Sequence, residues 1–233
     1  MAAKEDIERT SNSTLNWLRA AVLGANDGIV SVSSIIFGVA GATDSRHTIF
    51  IAGLAGLVAG AFSMAVGEYV SVSSQSDAEK VFIHKEKKRL RDDPDHELDG
   101  LVDAYTAKGV SEKTALQVAK ELTAKNPLDA HLDIEFNMDE EDINNPIHAA
   151  IASFVSFTVG ALVPLLAMLA ASEGWRIPVT FIAVIVALCV TGYLSAKIGD
   201  AKRGRAVLRV VLGGIVAMVA TYIIGKLFGT TVS

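Results

Sequence analysis

Long apolar runs dominate the pattern of hydrophobic and polar positions along this chain of 233 residues. A bilayer requires about 20 mostly apolar residues for one helical crossing. Five segments reach that length, and a long charged segment separates the second from the third. The predicted spans are residues 19–42, 48–72, 147–171, 177–196 and 206–228. The pattern therefore predicts an all-α, polytopic membrane protein with five transmembrane helices.

The charged segment, residues 73–146, carries 18 acidic residues against ten lysines and arginines. Its first helix continues directly out of the second span, because neither glycine nor proline interrupts it. A second helix begins at Asp93, a helix N-cap residue that proline follows at the first helical position. A third begins near Ser111, and Asn126 with its following proline restarts or kinks it. The pattern predicts a three-helix insert between spans two and three.

Positive charges predict the orientation of these spans. With five crossings, 18 of the 21 lysines and arginines fall on one side, and the positive-inside rule makes that side cytosolic. The first 18 residues are polar and lack the apolar core of a signal peptide, so we expect no cleaved leader. The compact length and the lack of a targeting extension favour a bacterial inner membrane. The predicted regions are a cytosolic arm 1–18, transmembrane helices 19–72, a cytosolic acidic metal-binding domain 73–146 and transmembrane helices 147–233.

Asp27 lies inside the first predicted span. A charge near the middle of a bilayer costs roughly 2.5–3.5 kcal/mol on insertion scales, so an intramembrane carboxylate indicates a functional path. Met64 lies as far before the cytosolic end of span two as Asp27 lies beyond that of span one. At 1.5 Å per residue, both are about 12 Å below the cytosolic edge. Glu68 is one turn closer to the cytosol, so the three predict a transport path with Glu68 at its entrance.

The side-chain chemistry indicates which ion would use this path. Mg²⁺ and Ca²⁺ prefer sites made only of oxygen atoms. A thioether beside carboxylates favours a softer first-row divalent ion such as Fe²⁺ or Mn²⁺. The single cysteine, Cys189, excludes an intrachain disulfide and a cysteine cluster. A carboxylate can also take up a proton when the metal leaves, which is the basis for a hypothesis of proton-coupled transport.

The acidic domain contains a second set of candidate ligands. Glu79 and Glu86 are seven residues apart on the first helix of the insert, and His131 and Glu135 are four apart on the third, so each pair shares a helix face. Glu97 lies early on the second helix. Carboxylates with one imidazole suit Fe²⁺ or Mn²⁺. The alternative is that these are solvated acidic faces.

Three segments carry a resemblance to a known family: WLRAAVLGANDGIVSVSSIIFGVAGA, AGLVAGAFSMAVGEYVSVSSQSDAEK and NPIHAAIASFVSFTVGALVPLLAML. They resemble the vacuolar iron transporter family over essentially the whole chain. The resemblance implies a homodimer that moves Fe²⁺ and Mn²⁺ out of the cytosol in exchange for protons. By motif match, the family's path aspartate falls on Asp27, its path methionine on Met64 and the glutamate of SMAxGE on Glu68.

The resemblance also bears on the acidic domain. Glu79 and Glu86 fit the first helix of the family's metal-binding domain, Glu135 fits its third helix, and Glu97 is a looser fit on the second. His131 stands about where plant members have methionine, which bears on the number and kind of metal ions bound. His84 similarly stands where many bacterial relatives carry glutamate.

These features together predict a transporter and not an enzyme, with Fe²⁺ or Mn²⁺ as cargo and no prosthetic group. The expected partners are divalent metal ions, the lipid bilayer and a second copy of the chain, but no nucleic acid. Three alternatives stay open: a Mg²⁺ or Ca²⁺ channel with an acidic sensing domain, a ferroxidase-like membrane enzyme, and a membrane scaffold that transports nothing. The enzyme is disfavoured because segment 73–146 lacks the Glu-x-x-His pair typical of di-iron bundles.

Overall fold

A computed structural model describes residues 2–136, 145–199 and 201–229, with side chains from residue 20 onward except at positions 135 and 136. The described part contains helices and turns but no strand, which confirms the all-α prediction. The α-helices are α1 (Ala2–Ala42), α2 (Arg46–Asp92), α3 (Pro94–Ala107), α4 (Glu112–Lys125), α5 (Pro127–His131), α6 (Pro146–Ala170), α7 (Arg176–Ile198) and α8 (Arg203–Gly229).

The chain divides into two compact units. The membrane unit comprises residues 1–69 and 147–233. The other unit comprises residues 70–146, and we call it the cytosolic unit after the side of the membrane that the positive charges predict for it. Among the described residues, five helices are long and apolar enough to cross a bilayer, namely α1 from Ala20, α2, α6, α7 and α8. The five predicted spans are therefore confirmed by length and composition. In addition, α1 extends backward through the predicted N-terminal arm as one helix.

Close helix contacts at glycines hold the membrane unit together. α1 packs mainly on α8 and α7. A Cβ added to Gly28 would meet the backbone of α6 at Phe157, and one added to Gly225 would meet the carbonyl of Gly38. Small residues permit this approach, because helix association within a bilayer depends on close packing. The glycines of α1 thus serve helix packing.

Large apolar side chains project from the outer faces of the membrane helices. Phe62 and Val66 on α2 and Leu212 and Val216 on α8 are all exposed in the single chain. An apolar surface of this extent indicates contact with lipid or another protein. The buried core of the unit comprises Ile29, Val32, Ile36, Phe157, Leu165, Met168, Val184, Leu188 and Met218, among others.

The cytosolic unit consists of the end of α2 together with α3, α4, α5 and a π-helical turn at Leu132–Phe136. Asp93 caps α3 as predicted, since its side chain accepts a hydrogen bond from the backbone N–H of His96 at 3.2 Å. The third predicted helix is divided in two, because the chain leaves helical geometry at Asn126 and restarts at Pro127. The core contains Leu101, Val102, Ala115, Ala119 and Ala130.

Candidate metal centre and membrane cleft

Three side chains from three helices meet inside the cytosolic unit. They are Glu86 on α2, Glu97 on α3 and His131 at the end of α5, and one potential ligand atom from each lies within 4.8 Å of the others. His131 Nδ1 is 3.3 Å from Glu86 Oε1 and 3.9 Å from Glu97 Oε2. We refer to these three residues as the carboxylate–histidine cluster.

Local sequence features bring the cluster together. The Asn126 side chain caps α5 by accepting a hydrogen bond from Asp129 N–H at 3.4 Å. Leu128, which lies one turn before His131, and Leu132, which follows His131 directly, pack against Ile83 of α2 in a small buried core. Ile83 is three residues before Glu86, so the two positions lie on neighbouring parts of one helix face. Apolar packing of α5 on α2 therefore places the imidazole beside the Glu86 carboxylate.

Burial makes the cluster unusual for an acidic surface domain. The side chains of Glu86 and His131 are 2% and 1% exposed, and that of Glu97 is 13% exposed. Removing carboxylates from water is costly unless cations or donors meet them. Arg89 supplies one such donor, because its guanidinium Nη1 lies 3.2 Å from Glu86 Oε2. One oxygen of Glu86 thus contacts Arg89 and the other contacts His131.

The donor set defines what the cluster can bind. Two carboxylates and one imidazole nitrogen match the preferences of first-row divalent metal ions, including Mn²⁺ and Fe²⁺. Three protein ligands leave further coordination positions for water or additional side chains. Within the part of the chain whose side chains are described, this is the one group of three or more such ligands close enough to hold an ion.

The other predicted ligands lie elsewhere or beyond the described side chains. Glu79 is half-buried and accepts a hydrogen bond from Gln75 Nε2 at 2.8 Å, outside the cluster. Seven residues correspond to about 10.5 Å along a helix, and Glu79 does not belong to the group of ligand atoms that lie within 4.8 Å of one another. Glu135 belongs to the π-helical turn, but its side chain is outside the described residues. His84 and His96 are both exposed.

A separate cleft of about 520 Å³ lies within the membrane unit. Its lining comprises Leu23, Asn26, Asp27, Val30, Met64, Arg209, Val210, Gly213 and Gly214. The cleft thus places the Asp27 carboxylate of α1 and the Met64 thioether of α2 in one lining. Asp27 is exposed in the single chain, and its Oδ1 accepts a hydrogen bond from Ser31 at 2.7 Å. Glu68 is half-buried one turn from Met64 and does not line the cleft.

Two polar residues of the cleft were not predicted from the sequence. Arg209 on α8 lines the same space as Asp27. In the sequence, the charge of Arg209 indicates only the membrane orientation. The signal that could have found it is its position inside the predicted fifth span. Asn26 also lines the cleft, and its side-chain oxygen lies 3.5 Å from the Thr191 hydroxyl of α7. Its place next to Asp27 in the sequence was the available signal.

Comparison with known proteins identifies the family. The model of the VIT family matches residues 18–226. A protein named vacuolar iron transporter from Acanthamoeba castellanii is 38% identical over 229 residues, which cover 95% of this chain and 82% of the relative. Vacuolar iron transporter homolog 1 of Oryza sativa subsp. japonica is 37% identical, with 91% and 74% covered. Vacuolar iron transporter homolog 2 of Arabidopsis thaliana is 34% identical, with 96% and 93% covered.

These similarities extend through all five apolar helices and the cytosolic unit. The relatives are named as transporters, in agreement with the prediction that the chain is not an enzyme. They also agree with its assignment as an integral membrane protein. Because the family model and the relatives both cover nearly the whole chain, the protein belongs to the VIT family.

Proposed function

We propose that this protein moves Fe²⁺, Mn²⁺ or both out of the cytosol in exchange for protons. The observation that carries the proposal is the membrane cleft, where a carboxylate and a thioether share one lining. A thioether contributes little to binding Mg²⁺ or Ca²⁺ but is compatible with softer first-row ions. The names of the relatives, which specify iron, support the same class of cargo.

Asp27 is the central residue of the proposed path. It is the acidic residue among the described residues that line the cleft, and Ser31 orients one of its oxygens. Metal bound at Asp27 and Met64 neutralises the carboxylate, and a proton can take that role after the ion leaves. Glu68, one turn nearer the cytosol, attracts the cation at the entrance. This alternation of metal and proton on one carboxylate is the physical basis for antiport.

The carboxylate–histidine cluster is proposed to capture the ion on the cytosolic side. Glu86, Glu97 and His131 supply the ligands that the geometry groups together. Glu79, which lies outside the cluster, and Glu135 are proposed to raise the local cation concentration. Fe²⁺ and Mn²⁺ are cargo in this scheme, and no prosthetic group is proposed.

We propose a homodimer as the working assembly. Asp27 is exposed in the single chain, and a carboxylate facing lipid is costly. A second copy that covers the open side of the cleft would remove this cost and enclose the path.

The membrane in which the protein lies is a separate prediction. The sequence favours a bacterial inner membrane, whereas the relatives come from eukaryotes and are named for the vacuole. Both locations fit export from the cytosol.

Transport in proteoliposomes tests the proposal. Wild type and Asp27→Asn are reconstituted with an imposed pH gradient, and Fe²⁺, Mn²⁺ or Mg²⁺ is supplied to the face that carries residues 73–146. We expect gradient-driven Fe²⁺ or Mn²⁺ flux in the wild type, near-background flux in Asp27→Asn and no Mg²⁺ flux. The flux ratio ranks the two cargo ions.

The control is Asp99→Asn, a carboxylate substitution at an exposed position of α3 outside both candidate sites. It should transport like the wild type. Equal flux in wild type and Asp27→Asn would remove Asp27 from the mechanism. Mg²⁺ flux equal to that of Mn²⁺ would favour the channel alternative, and no flux of any ion in folded protein would favour the scaffold or the enzyme.

A further inference from the structure

A second cavity, of about 300 Å³, lies in the membrane unit and shares no lining residue with the Asp27 cleft. It is formed where the α1–α2 and α6–α7 connections meet the first turns of α7. Asp44 lies two residues beyond the end of α1, and the rise per residue places it about 25 Å from Asp27 along the axis of that helix. By the charge-derived orientation, this end faces away from the cytosol. The cavity is lined by Ile36, Phe37, Ala40, Thr43, Asp44, Ile49, Met168, Glu173, Gly174, Arg176, Ile177 and Thr180.

Two buried hydrogen-bonding groups of this cavity have no partner among the described residues. Thr180 is 1% exposed, and its hydroxyl makes no hydrogen bond there. The Nε of Arg176 is likewise buried without a partner in the described part, while its Nη1 donates to the backbone oxygen of Asp44 at 3.1 Å. A buried polar group left unpaired destabilises the protein, because its lost hydrogen bonds to water are not replaced. The two groups therefore define a place where an acceptor-bearing ligand would be stabilised.

The start of α7 adds further donors to the same place. Arg176 is the first residue of this helix of 23 residues, and the preceding Trp175 provides no side-chain cap. The first N–H groups of a helix lack partners within the helix, and they favour negative charge. In α7 these donors are the N–H groups of Arg176 and Ile177, because Pro178 at the third position has none. An anionic group in the cavity would thus meet the helix N-terminus, the Arg176 guanidinium and the Thr180 hydroxyl together.

The remaining lining restricts the ligand further. Asp44 and Glu173 are exposed carboxylates, so a simple anion would meet repulsion at the cavity. A metal ion fits poorly, because a guanidinium carries no acceptor for it. Phe37, Ile49 and Ile177 supply an apolar wall. A ligand with an anionic group, a nearby ammonium group and an apolar part would satisfy all three kinds of surface.

We propose that this cavity binds the headgroup of an amine-bearing phospholipid, a phosphoethanolamine, from the leaflet that faces away from the cytosol. The phosphate accepts hydrogen bonds from Arg176, Thr180 and the N-terminus of α7. The ammonium group lies against Asp44 and Glu173, and the first acyl carbons contact the apolar wall. A soluble zwitterion with the same two charges shares this chemistry and is the alternative source. The proposed site is independent of the transported ion.

Native mass spectrometry of the delipidated full-length protein in detergent tests the site. Phosphatidylethanolamine and phosphatidylglycerol, which lacks the amine, are titrated separately, and soluble glycerophosphoethanolamine is added as a competitor. We expect selective retention of phosphatidylethanolamine. Thr180→Val should weaken it about tenfold, since a hydrogen bond to a charged group is lost. Asp44→Asn combined with Glu173→Gln should remove the preference over phosphatidylglycerol.

The control is Thr158→Val on α6, whose hydroxyl donates to Phe154 O at 2.8 Å outside the cavity, and it should bind lipid like the wild type. Without lipid, Thr180→Val should unfold at or above the wild-type temperature, because its hydroxyl has no protein partner to lose. Equal binding of both lipids by the wild type, or unchanged binding in Thr180→Val, would overturn the proposal. Displacement by the soluble competitor at concentrations comparable to the lipid would overturn the lipid as occupant.

Discussion

The carboxylate–histidine cluster and the Asp27 cleft both bring a carboxylate together with a second type of metal ligand, but they differ in how firmly these groups are held. In the cluster, two carboxylates and an imidazole from three helices are largely buried, and Arg89 fixes one of the carboxylates. In the cleft, a single exposed carboxylate shares an open space with a thioether and an arginine.

This difference separates two tasks of a transporter. A site that retains an ion benefits from several fixed ligands, whereas a site on a conduction path must release the ion again. We therefore expect the cluster to dominate equilibrium metal binding and the cleft to dominate flux. Substitutions in the cluster should mainly change the equilibrium metal affinity, and substitutions in the cleft should mainly change the metal flux.

The largest effect on binding is expected for Glu86→Gln. Loss of a residue that hydrogen-bonds to a metal ligand lowers metal affinity about 10–100-fold. Loss of Glu86, a buried side chain that would bind the metal directly, should therefore lower the Mn²⁺ affinity about 100-fold. Isothermal titration of Mn²⁺ into the full-length protein measures this change, and flux at saturating Mn²⁺ should stay close to wild type. Glu121→Gln, at an exposed position of α4, is the matched control. Unchanged Mn²⁺ affinity in folded Glu86→Gln would exclude the cluster as the capture site.

A smaller loss is expected for Glu97→Gln. The Glu97 side chain is 13% exposed, and its nearest carboxylate oxygen lies 3.9 Å from His131 Nδ1, so water can partly replace it. We expect the Mn²⁺ affinity to fall about tenfold, a difference of roughly 1.4 kcal/mol. The same isothermal titration gives the ratio of the Mn²⁺ affinities of Glu97→Gln and Glu86→Gln, which is the informative quantity. A greater loss for Glu97→Gln than for Glu86→Gln would contradict the importance assigned to burial.

The membership of the cluster shows what the sequence could and could not predict. Helix starts at Pro94 and Pro127 were predictable, because caps and prolines act locally. The partnership of Glu86 with Glu97 was not, because it depends on how α3 packs beside α2. Spacing placed Glu79 on the same helix face as Glu86, but a shared face is a weaker condition than ligand distance.

The cleft gives a similar lesson. Equal depth of Asp27 and Met64 followed from counting residues from the cytosolic ends of two antiparallel spans. The contribution of Arg209 did not follow, since α8 is far from both residues in sequence and its contact with α1 is tertiary. Sequence periodicity assigns positions within one helix, whereas packing selects which helices share a cavity.

A third test concerns ion selectivity in the cleft. Met64→Leu retains an apolar side chain of similar volume but removes the thioether. We expect Fe²⁺ flux to fall about fivefold, equivalent to roughly 1 kcal/mol, while equilibrium binding at the cluster is unchanged. Met218→Leu, a fully buried core position on α8, controls for the general loss of a methionine. Equal Fe²⁺ flux in wild type and Met64→Leu would show that the carboxylate alone selects the ion.

The smallest effect is expected for Arg209→Gln. A positive charge in the cleft competes with a cation for Asp27, so its removal should lower the KM for Mn²⁺. Exposed charge pairs contribute about 0–1 kcal/mol, which corresponds to a decrease of about threefold. Arg205→Gln, one turn earlier on α8 and outside the cleft, should leave KM unchanged and controls for the loss of one positive charge. An increase in KM for Arg209→Gln would instead indicate that the arginine orients Asp27 for metal binding. The cleft would then resemble the cluster, where Arg89 contacts Glu86. In that case only the number of metal ligands would distinguish the site that retains the ion from the site on the conduction path.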